Sequence, residues 1–213
     1  MGGRRSGRTV LHLLPDLEVG GGQVLVLRTL GAMPAEVRHV VCALRDGALR
    51  PAYERAGIDV EIVGGGGPLR ALGRTARVAR HHRAELVHTN HTATERVIGQ
   101  ATGLLDRMPV VNTFHGMAPA RRRGDVARGV NMALAHANIR RFVAVSTAVA
   151  ASYTAALRLR PDRVTVVHPG LPPEAFVSAA PEAVGAGARR CRRRRPRSRR
   201  RRNDGGSHGR APC

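Results

Sequence analysis

The chain has 213 residues, of which 42% are hydrophobic, so it is long and apolar enough to bury a sizeable core and is not a wholly disordered protein. It carries 36 basic and 15 acidic residues, for a net charge of +21, and every basic residue is an arginine. From Arg189 to Cys213 there are 12 arginines against one acidic residue, a net +11, so about half of the charge belongs to the last 25 residues. The two parts of the chain therefore need separate explanations.

The cysteines and the apolar runs exclude several classes of protein. Cys42, Cys191 and Cys213 have no metal-ligand spacing and are odd in number, which argues against a zinc site and a disulfide framework. The apolar run that ends at Leu14 is too short for the core of a signal peptide, and no stretch reaches the eighteen or so apolar residues of a membrane span. We expect a soluble protein of the cytoplasm.

Strand and helix patterns alternate over the first 170 residues. Seven short, nearly continuous apolar runs predict strands buried on both faces of a parallel sheet, at 9–14, 39–44, 59–63, 85–88, 109–114, 142–145 and 164–168. Helix-length segments between them lie at 23–33, 69–82, 92–105, 125–137 and 147–157. Ser146, just before the last of these, is a good N-cap residue. The alternation predicts a Rossmann-like, doubly wound α/β domain.

The periodicity stops after Phe176. We predict one α/β domain over 1–178 and a disordered tail over 179–213, because the tail is rich in arginine, proline and glycine and has no apolar face. One hypothesis is that the tail is the product of a reading-frame shift in GC-rich DNA. The other is a genuine tail that binds nucleic acid or acidic membranes by counterion release, without base stacking, since 177–213 contains no aromatic residue.

A glycine-rich loop follows the first predicted strand. Gly20, Gly21 and Gly22 let the backbone approach a ligand closely, and the start of the next helix offers free amides to an anion. The third position of a dinucleotide-binding fingerprint is occupied by Leu25, and the strand-to-glycine spacing is too long, which argues against NAD. A simple connecting turn is the alternative.

Polar residues follow two further strands. His115 and Gly116 come after the fifth strand, and His88, Asn90 and His91 end the fourth. Ligands bind at the carboxyl ends of strands in open parallel sheets, so these side chains could line one crevice, where a histidine can act as acid, base or hydrogen-bond donor. Structural histidines, with Asn90 or Thr92 capping the next helix, are the alternatives. No carboxylate or cysteine stands at ligand spacing, so we predict no metal.

Taken in order, these segments resemble the N-terminal half of a family 4 glycosyltransferase of the GT-B fold. The resemblance covers residues 8–176 and is carried by VLHLLPDLEVGGGQ, ELVHTNHT, VVNTFHG, FVAVSTAVAASY and VTVVHPGLPPEAF. It implies transfer of a sugar, with retention of configuration, from a nucleotide-sugar donor to a sugar, lipid or small-molecule acceptor, without a metal or other cofactor.

The resemblance also implies roles for particular residues. His115 would hydrogen-bond the donor sugar and support the transition state. The implied substrate- and phosphate-binding residues are Gly20, Gly21, Gly22, His88, Asn90, Gly116 and Ser146. Of these, His88 and Asn90 would line the acceptor side.

The sequence departs from the family pattern in two places. His168, Pro169 and Gly170 stand where the family has an Asn-Gly turn, and the donor-binding C-terminal domain does not follow. We therefore expect a truncated half that transfers sugar weakly or not at all by itself. The alternative is a non-catalytic module that binds a phosphorylated small molecule and carries a nucleic-acid-binding tail. Peripheral contact with the inner face of the membrane is a further expectation.

Overall fold

The computed structural model describes residues 8–90, 93–118 and 138–170. Its centre is one sheet of seven parallel strands in the order β3-β2-β1-β4-β5-β6-β7. The strands are β1 (Arg8–Leu14), β2 (Val37–Ala43), β3 (Asp59–Ile62), β4 (Leu86–Asn90), β5 (Val110–Phe114), β6 (Ile139–Ala144) and β7 (Val164–Val166). The predicted Rossmann-like, doubly wound fold is confirmed.

Five α-helices are described between these strands. They are α1 (Gly21–Gly31), α2 (Arg50–Arg55), α3 (Pro68–His81), α4 (Ala93–Leu105) and α5 (Thr147–Leu157), and a 3-10 turn over Pro161–Arg163 precedes β7. The predicted N-cap is confirmed, because Ser146 Oγ accepts a hydrogen bond from the Val149 amide at 3.2 Å. The helix predicted at 125–137 lies outside the described residues.

Apolar side chains cover both faces of the sheet. On one face, Leu11 and Leu13 of β1 belong to a core that includes residues of α3, α4 and α5. On the other, Leu14 packs with residues of α1 and α2, among them Val26 and Tyr53. Successive strand residues point to opposite faces, so a strand covered on both sides must be apolar at almost every position. This explains why continuous apolar runs in the sequence predict the strands.

Two sequence predictions need correction. Helix α2 was missed because it has only six residues, with a proline at its second position and Tyr53 as its one buried side chain. Strand β4 extends to Asn90 rather than ending at His88, since Thr89 and Asn90 are polar yet buried within the sheet. Asn90 therefore belongs to the strand and does not cap α4.

One compact unit of the chain extends to Pro169, whereas the boundary predicted after residue 178 and the tail at 179–213 lie outside the described residues. Within the described ranges, no helix is both long and apolar enough to cross a membrane.

Candidate functional site

The strand order reverses direction between β1 and β4. From β1 the chain winds outward to β2 and β3, then returns to place β4 on the other side of β1. In open α/β sheets the crevice at the carboxyl ends of the strands beside such a reversal is the usual ligand site. The carboxyl ends of β1, β4 and β5 lie at this edge, with the glycine loop after β1, Asn90 at the end of β4 and His115 after β5.

The glycine loop leads directly into α1. Gly20 is the N-cap of the helix, its carbonyl accepts a hydrogen bond from the Val24 amide at 2.9 Å, and the helix begins at Gly21. It begins two residues earlier than predicted, so Gly21 and Gly22 belong to its first turn. A side chain at Gly21 would meet nothing within 4 Å. Gly21 therefore borders open space, and the first-turn amides of α1 have no partner within the helix.

Asp16 holds the loop before these glycines in place. Its carboxylate accepts hydrogen bonds from Gln23 Nε2 at 2.7 Å and from the Glu18 amide at 3.2 Å, and it pairs with Arg45 Nη2 at 3.0 Å. Burial by itself would raise the pKa of Asp16, but the hydrogen bonds from Arg45 and Gln23 outweigh it and lower the pKa. Asp16 is therefore ionised near neutral pH and ties the loop to α1.

The loops that follow β2 and β3 support the glycine loop from one side. The Leu49 amide donates to the Leu17 carbonyl at 2.8 Å. A Cβ at Gly47 would overlap the backbone of Leu17, and a Cβ at Gly64 would overlap the carbonyl of Leu44. The three loops thus pack backbone against backbone, which only glycine permits at these two contact points.

His115 and Asn90 meet at the carboxyl ends of β5 and β4. The His115 Nε2 atom lies 3.2 Å from Asn90 Oδ1. A carbonyl oxygen only accepts, so in this pair the imidazole donates from Nε2. Asn90 is almost fully buried, and its Nδ2 atom has no hydrogen-bond partner among the described residues. These two side chains, which stand at the ends of neighbouring strands, are therefore in contact.

His88 makes different contacts. Its Nδ1 atom is 3.2 Å from His12 Nδ1, and its Nε2 atom is 2.7 Å from Thr113 Oγ1. His12 Nε2 is in turn 3.1 Å from His39 Nδ1. The three imidazoles form a row across β4, β1 and β2 on one face of the sheet, hereafter the histidine row. His88 is therefore tied to this row and to β5 rather than to His115.

Burial keeps the histidine row neutral. It lowers the pKa of His88 to about 4, with a further lowering from the charge that His39 would carry. Burial also lowers the pKa of His39. The pKa of His12 lies well below its usual range, mainly because of burial and further because of the charges that His88 and His39 would carry. At neutral pH each ring therefore has one nitrogen that can donate and one that can accept. No local pattern predicts this row, because only the strand order brings the three residues together.

The remaining predicted site residues occupy the same edge. Gly116 follows His115, is exposed, and a Cβ there would meet nothing within 4 Å. Ser146 follows β6 and uses its hydroxyl to cap α5. His91 lies outside the described residues. In the described part of the chain, no group of three histidine, cysteine or acidic side chains is arranged to hold a metal ion; metal independence stays a prediction.

Comparison with known proteins bears on the identity of this domain. The family model described as Glycosyltransferase Family 4 matches residues 19–175, which is more than half of the chain. The chain belongs to glycosyltransferase family 4. The matched range includes the glycine loop, Asn90 and His115. No curated protein sequence matches the chain.

Solved structures share the fold of this family 4 domain. HepE of Anabaena in complex with UDP matches with a TM-score of 0.67 and 19% identity over 83% of this chain and 50% of its own. A glycosyltransferase of Rickettsia africae matches with a TM-score of 0.62 and 16% identity over 84% and 48%. The UDP-GlcNAc 2-epimerase of Neisseria meningitidis, bound to UDP-GlcNAc, matches with a TM-score of 0.52 and 10% identity over 74% and 45%. The chain spans about half the length of each of these proteins.

Proposed function

We propose that this family 4 domain is the acceptor-side half of an enzyme that transfers a sugar from a nucleotide-sugar donor to an acceptor, with retention and without a metal. The observation that carries the proposal is that the family match spans the glycine loop, β4 and β5, which lie beside the strand reversal. Solved structures of the same fold hold UDP, UDP-glucose and UDP-GlcNAc, which supports a nucleotide sugar as the donor.

The glycine loop supplies the contact to phosphate in this proposal. Gly20, Gly21 and Gly22 stand at the N-terminal end of α1, where unpaired amides and the helix dipole favour a negative charge. Asp16 holds the loop in place from the far side through Gln23 and Arg45. The loop is therefore shaped before a ligand arrives, which lowers the entropy lost on binding.

His115 supplies the contact to the donor sugar. Neighbouring strands are about 4.8 Å apart, so the glycine loop and His115 follow two strands, β1 and β5, whose ends are about 10 Å apart. Asn90 fixes the orientation of the imidazole, and a fixed hydrogen-bonding group costs little reorganisation when charge develops in the transition state. In this proposal Asn90 lies on the acceptor side in contact with His115, and His88 lies on the acceptor side within the histidine row. The cytoplasmic location stays a prediction.

Sugar transfer can be tested with the full chain and a panel of UDP, GDP and ADP sugars. Saturation-transfer NMR reports which donor protons touch the protein, and nucleotide release in the presence of candidate acceptors reports turnover. We expect contacts to the sugar ring of one donor class and slow turnover, with a product that keeps the anomeric configuration of the donor. His115→Ala should reduce turnover at least about a hundredfold, whereas His81→Ala, at an exposed position on α3, should leave it unchanged.

Three results would count against the proposal. An inverted product would contradict retention, and loss of turnover with a chelator would contradict metal independence. Binding of simple sugar phosphates without binding of any nucleotide sugar would instead favour the non-catalytic module.

A further inference from the structure

A cavity of about 740 Å³ lies at the amino-terminal edge of the sheet, on the side away from the candidate functional site. Thr9 of β1 and His39 of β2, near the start of their strands, line it together with Glu85, which precedes β4. Its volume falls in the range of small-molecule sites, which combine an apolar lining with a few polar groups. The proposed sugar transfer takes place at the carboxyl ends of the strands and makes no use of this cavity.

Two buried imidazoles line this cavity, and each has a nitrogen without a hydrogen-bond partner in the described part of the chain. His39 is 9% exposed, and the side chain of His82, at the C-terminal end of α3, is 8% exposed. In both residues the unpartnered atom is Nε2, which is buried. Buried polar atoms in proteins are as a rule paired with protein, water or a ligand, because an unpaired one is destabilising. The two histidines therefore mark where a ligand would be held.

His39 is also the end of the histidine row. His12 and His88 each use both ring nitrogens within the row, whereas His39 uses only Nδ1. Its Nε2 is therefore the one nitrogen of the row that has no partner among the described residues. A ligand that donates to Nε2 leaves the proton of a neutral His39 on Nδ1, where it bonds to His12. Such a donor, entering from the cavity, completes the row.

The surroundings of the cavity favour a donor that carries positive charge. Gly31, the last residue of α1, and His82, the C-cap of α3, both line it, and the C-terminal end of a helix carries a partial negative charge. Glu36 and Glu85 line it as well and are exposed. Helix ends and carboxylates both attract a cation.

The arginines of the cavity do not reverse this preference. Arg38 pairs with Asp59 at 2.6 Å, so its charge is offset, and Arg83 is exposed at the rim. His82 has Asp59 at 3.9 Å and Glu61 at 3.8 Å. The acidic residues that line the cavity or lie within 4 Å of His82 therefore outnumber the lining arginines, although the whole chain has 36 basic and 15 acidic residues.

We propose that this cavity binds a small organic amine whose ammonium group donates to His39 Nε2. The apolar body of the amine rests on Leu30, Pro34 and Ile58, which line the cavity. His82 Nε2 offers a second acceptor. A metal ion fits less well, because the described residues contain no group of three histidine, cysteine or acidic side chains arranged to hold one. The inference goes beyond sugar transfer and does not depend on it.

The first test compares three molecules that share one apolar ring and differ in their polar group. Cyclohexylammonium, cyclohexanol and cyclohexanecarboxylate are titrated into the full chain labelled with nitrogen-15 at histidine, at about pH 8, where an alkyl ammonium is charged and imidazole is neutral. We expect the ring nitrogen signals of His39 to move with cyclohexylammonium and to reach saturation. Cyclohexanol should bind about tenfold more weakly, because it lacks the charge-assisted hydrogen bond. Cyclohexanecarboxylate should leave the signals unchanged.

The second test locates the bound amine with a variant that fills the cavity. Ala35 lines the cavity and is exposed, so Ala35→Trp adds bulk there without disturbing the core. Ala151→Trp, at an exposed position on α5 that does not line the cavity, is the matched control. We expect Ala35→Trp to abolish the binding of cyclohexylammonium and Ala151→Trp to leave its dissociation constant unchanged.

A third comparison tests the charge preference. Glu36→Gln with Glu85→Gln removes the two carboxylates that line the cavity and should weaken the binding of cyclohexylammonium about fivefold, as expected for two exposed charges. Asp46→Asn with Asp162→Asn removes two exposed carboxylates that do not line it and should weaken the binding much less.

The outcomes are distinct. Signals of His39 that do not respond to cyclohexylammonium, or equal binding in the two tryptophan variants, would overturn the proposal. Tighter binding of cyclohexanecarboxylate would overturn it in favour of an anion site. A shift of the His39 and His82 rings that Zn²⁺ alone produces, and that cyclohexylammonium does not, would overturn it in favour of a metal site. Circular dichroism of each variant checks that the fold is kept.

Discussion

The contact between His115 and Asn90 links two strand ends through one hydrogen bond. Both residues stand where parallel strands finish, and strand pairing brings β4 beside β5 so that Asn90 is in register with Thr113, two residues before His115. The imidazole is therefore held by a side chain that is itself almost fully buried. Asn90 is therefore a positioning residue for His115, and its effect is visible in which ring nitrogen of His115 carries the proton.

We predict that Asn90 sets the tautomer of His115. In the full chain the neutral ring should carry its proton mainly on Nε2, and Asn90→Leu, which removes the accepting oxygen, should give a mixture of tautomers. Asn90→Asp keeps an acceptor and should preserve the Nε2–H form. Nitrogen-15 chemical shifts of the ring distinguish these forms, and an unchanged tautomer in Asn90→Leu would show that Asn90 does not control it.

The histidine row predicts loss of stability in acid. Its histidines have a lower pKa in the folded chain than in the unfolded chain, so unfolding takes up protons at mildly acidic pH. The free energy of unfolding should therefore be fully retained above about 6.5, the pKa of an unperturbed histidine. It should fall as the pH drops towards about 4, the folded pKa of His88, by up to about 1.4 kcal/mol for each pKa unit.

Urea unfolding of the full chain across this pH window measures the effect. His88→Gln should make the dependence on pH shallower, because one of the titrating groups is removed. His81→Gln, at an exposed position on α3, should leave the slope as it is. A wild-type stability that is constant between these pH values would mean that the histidines of the row have the same pKa in the folded and the unfolded chain.

At the scale of the elements, two mid-helix glycines have opposite surroundings. Gly99 of α4 faces the sheet, and a Cβ there would overlap the side chain of Thr89 and come within 3.2 Å of Val87. Gly73 of α3 is exposed, and a Cβ there would meet nothing within 4 Å. The first glycine lets a helix approach β4 closely, whereas the second only adds backbone entropy to the unfolded chain.

Alanine at these two positions should therefore act in opposite directions. Gly73→Ala should raise the free energy of unfolding by roughly 0.5–1 kcal/mol. Gly99→Ala should lower it by roughly 1–3 kcal/mol, because the helix must move away from the sheet. Thermal and urea unfolding of the two variants side by side provide the measurement. A gain in stability for both would show that α4 has room to shift.

The elements differ in how well their sequence predicted them. The apolar run in β1 predicts a strand because strands covered on both faces must be apolar at successive positions. No such pattern places Thr89 and Asn90 in β4, since their burial depends on the neighbouring strands. The rule that the ends of parallel strands share one edge of the sheet predicts that Asn90 and His115 lie close together. No such rule predicts the histidine row, because no local pattern in a sequence specifies the order of the strands.

At the scale of the whole molecule, the net charge of +21 opposes compaction. The charges of the described part are mostly exposed arginines, and several of them, including Arg77 and Arg83, stand in a segment without acidic residues. Dissolved salt shortens the range of their repulsion, from about 30 Å at 0.01 M to about 8 Å at 0.15 M. Ionic strength therefore controls how strongly repulsion between the arginines destabilises the folded chain.

We predict that the full chain becomes more stable as sodium chloride is raised over this range. The midpoint of urea unfolding should move upward, and most of the change should be complete by about 0.15 M. A chain whose stability came mainly from surface ion pairs such as that of Arg38 with Asp59 would instead lose stability with salt. The direction of the shift decides between the two.

The position of β1 has a consequence for biosynthesis. This strand emerges from the ribosome first, yet it lies between β2 and β4, so it has a neighbour on each side only after β4 has been translated. Until then one row of its backbone groups is unpaired, and a strand edge of that kind is a template for unwanted pairing. The nascent chain is therefore most vulnerable to misassembly while three strands exist and the fourth is still inside the ribosome.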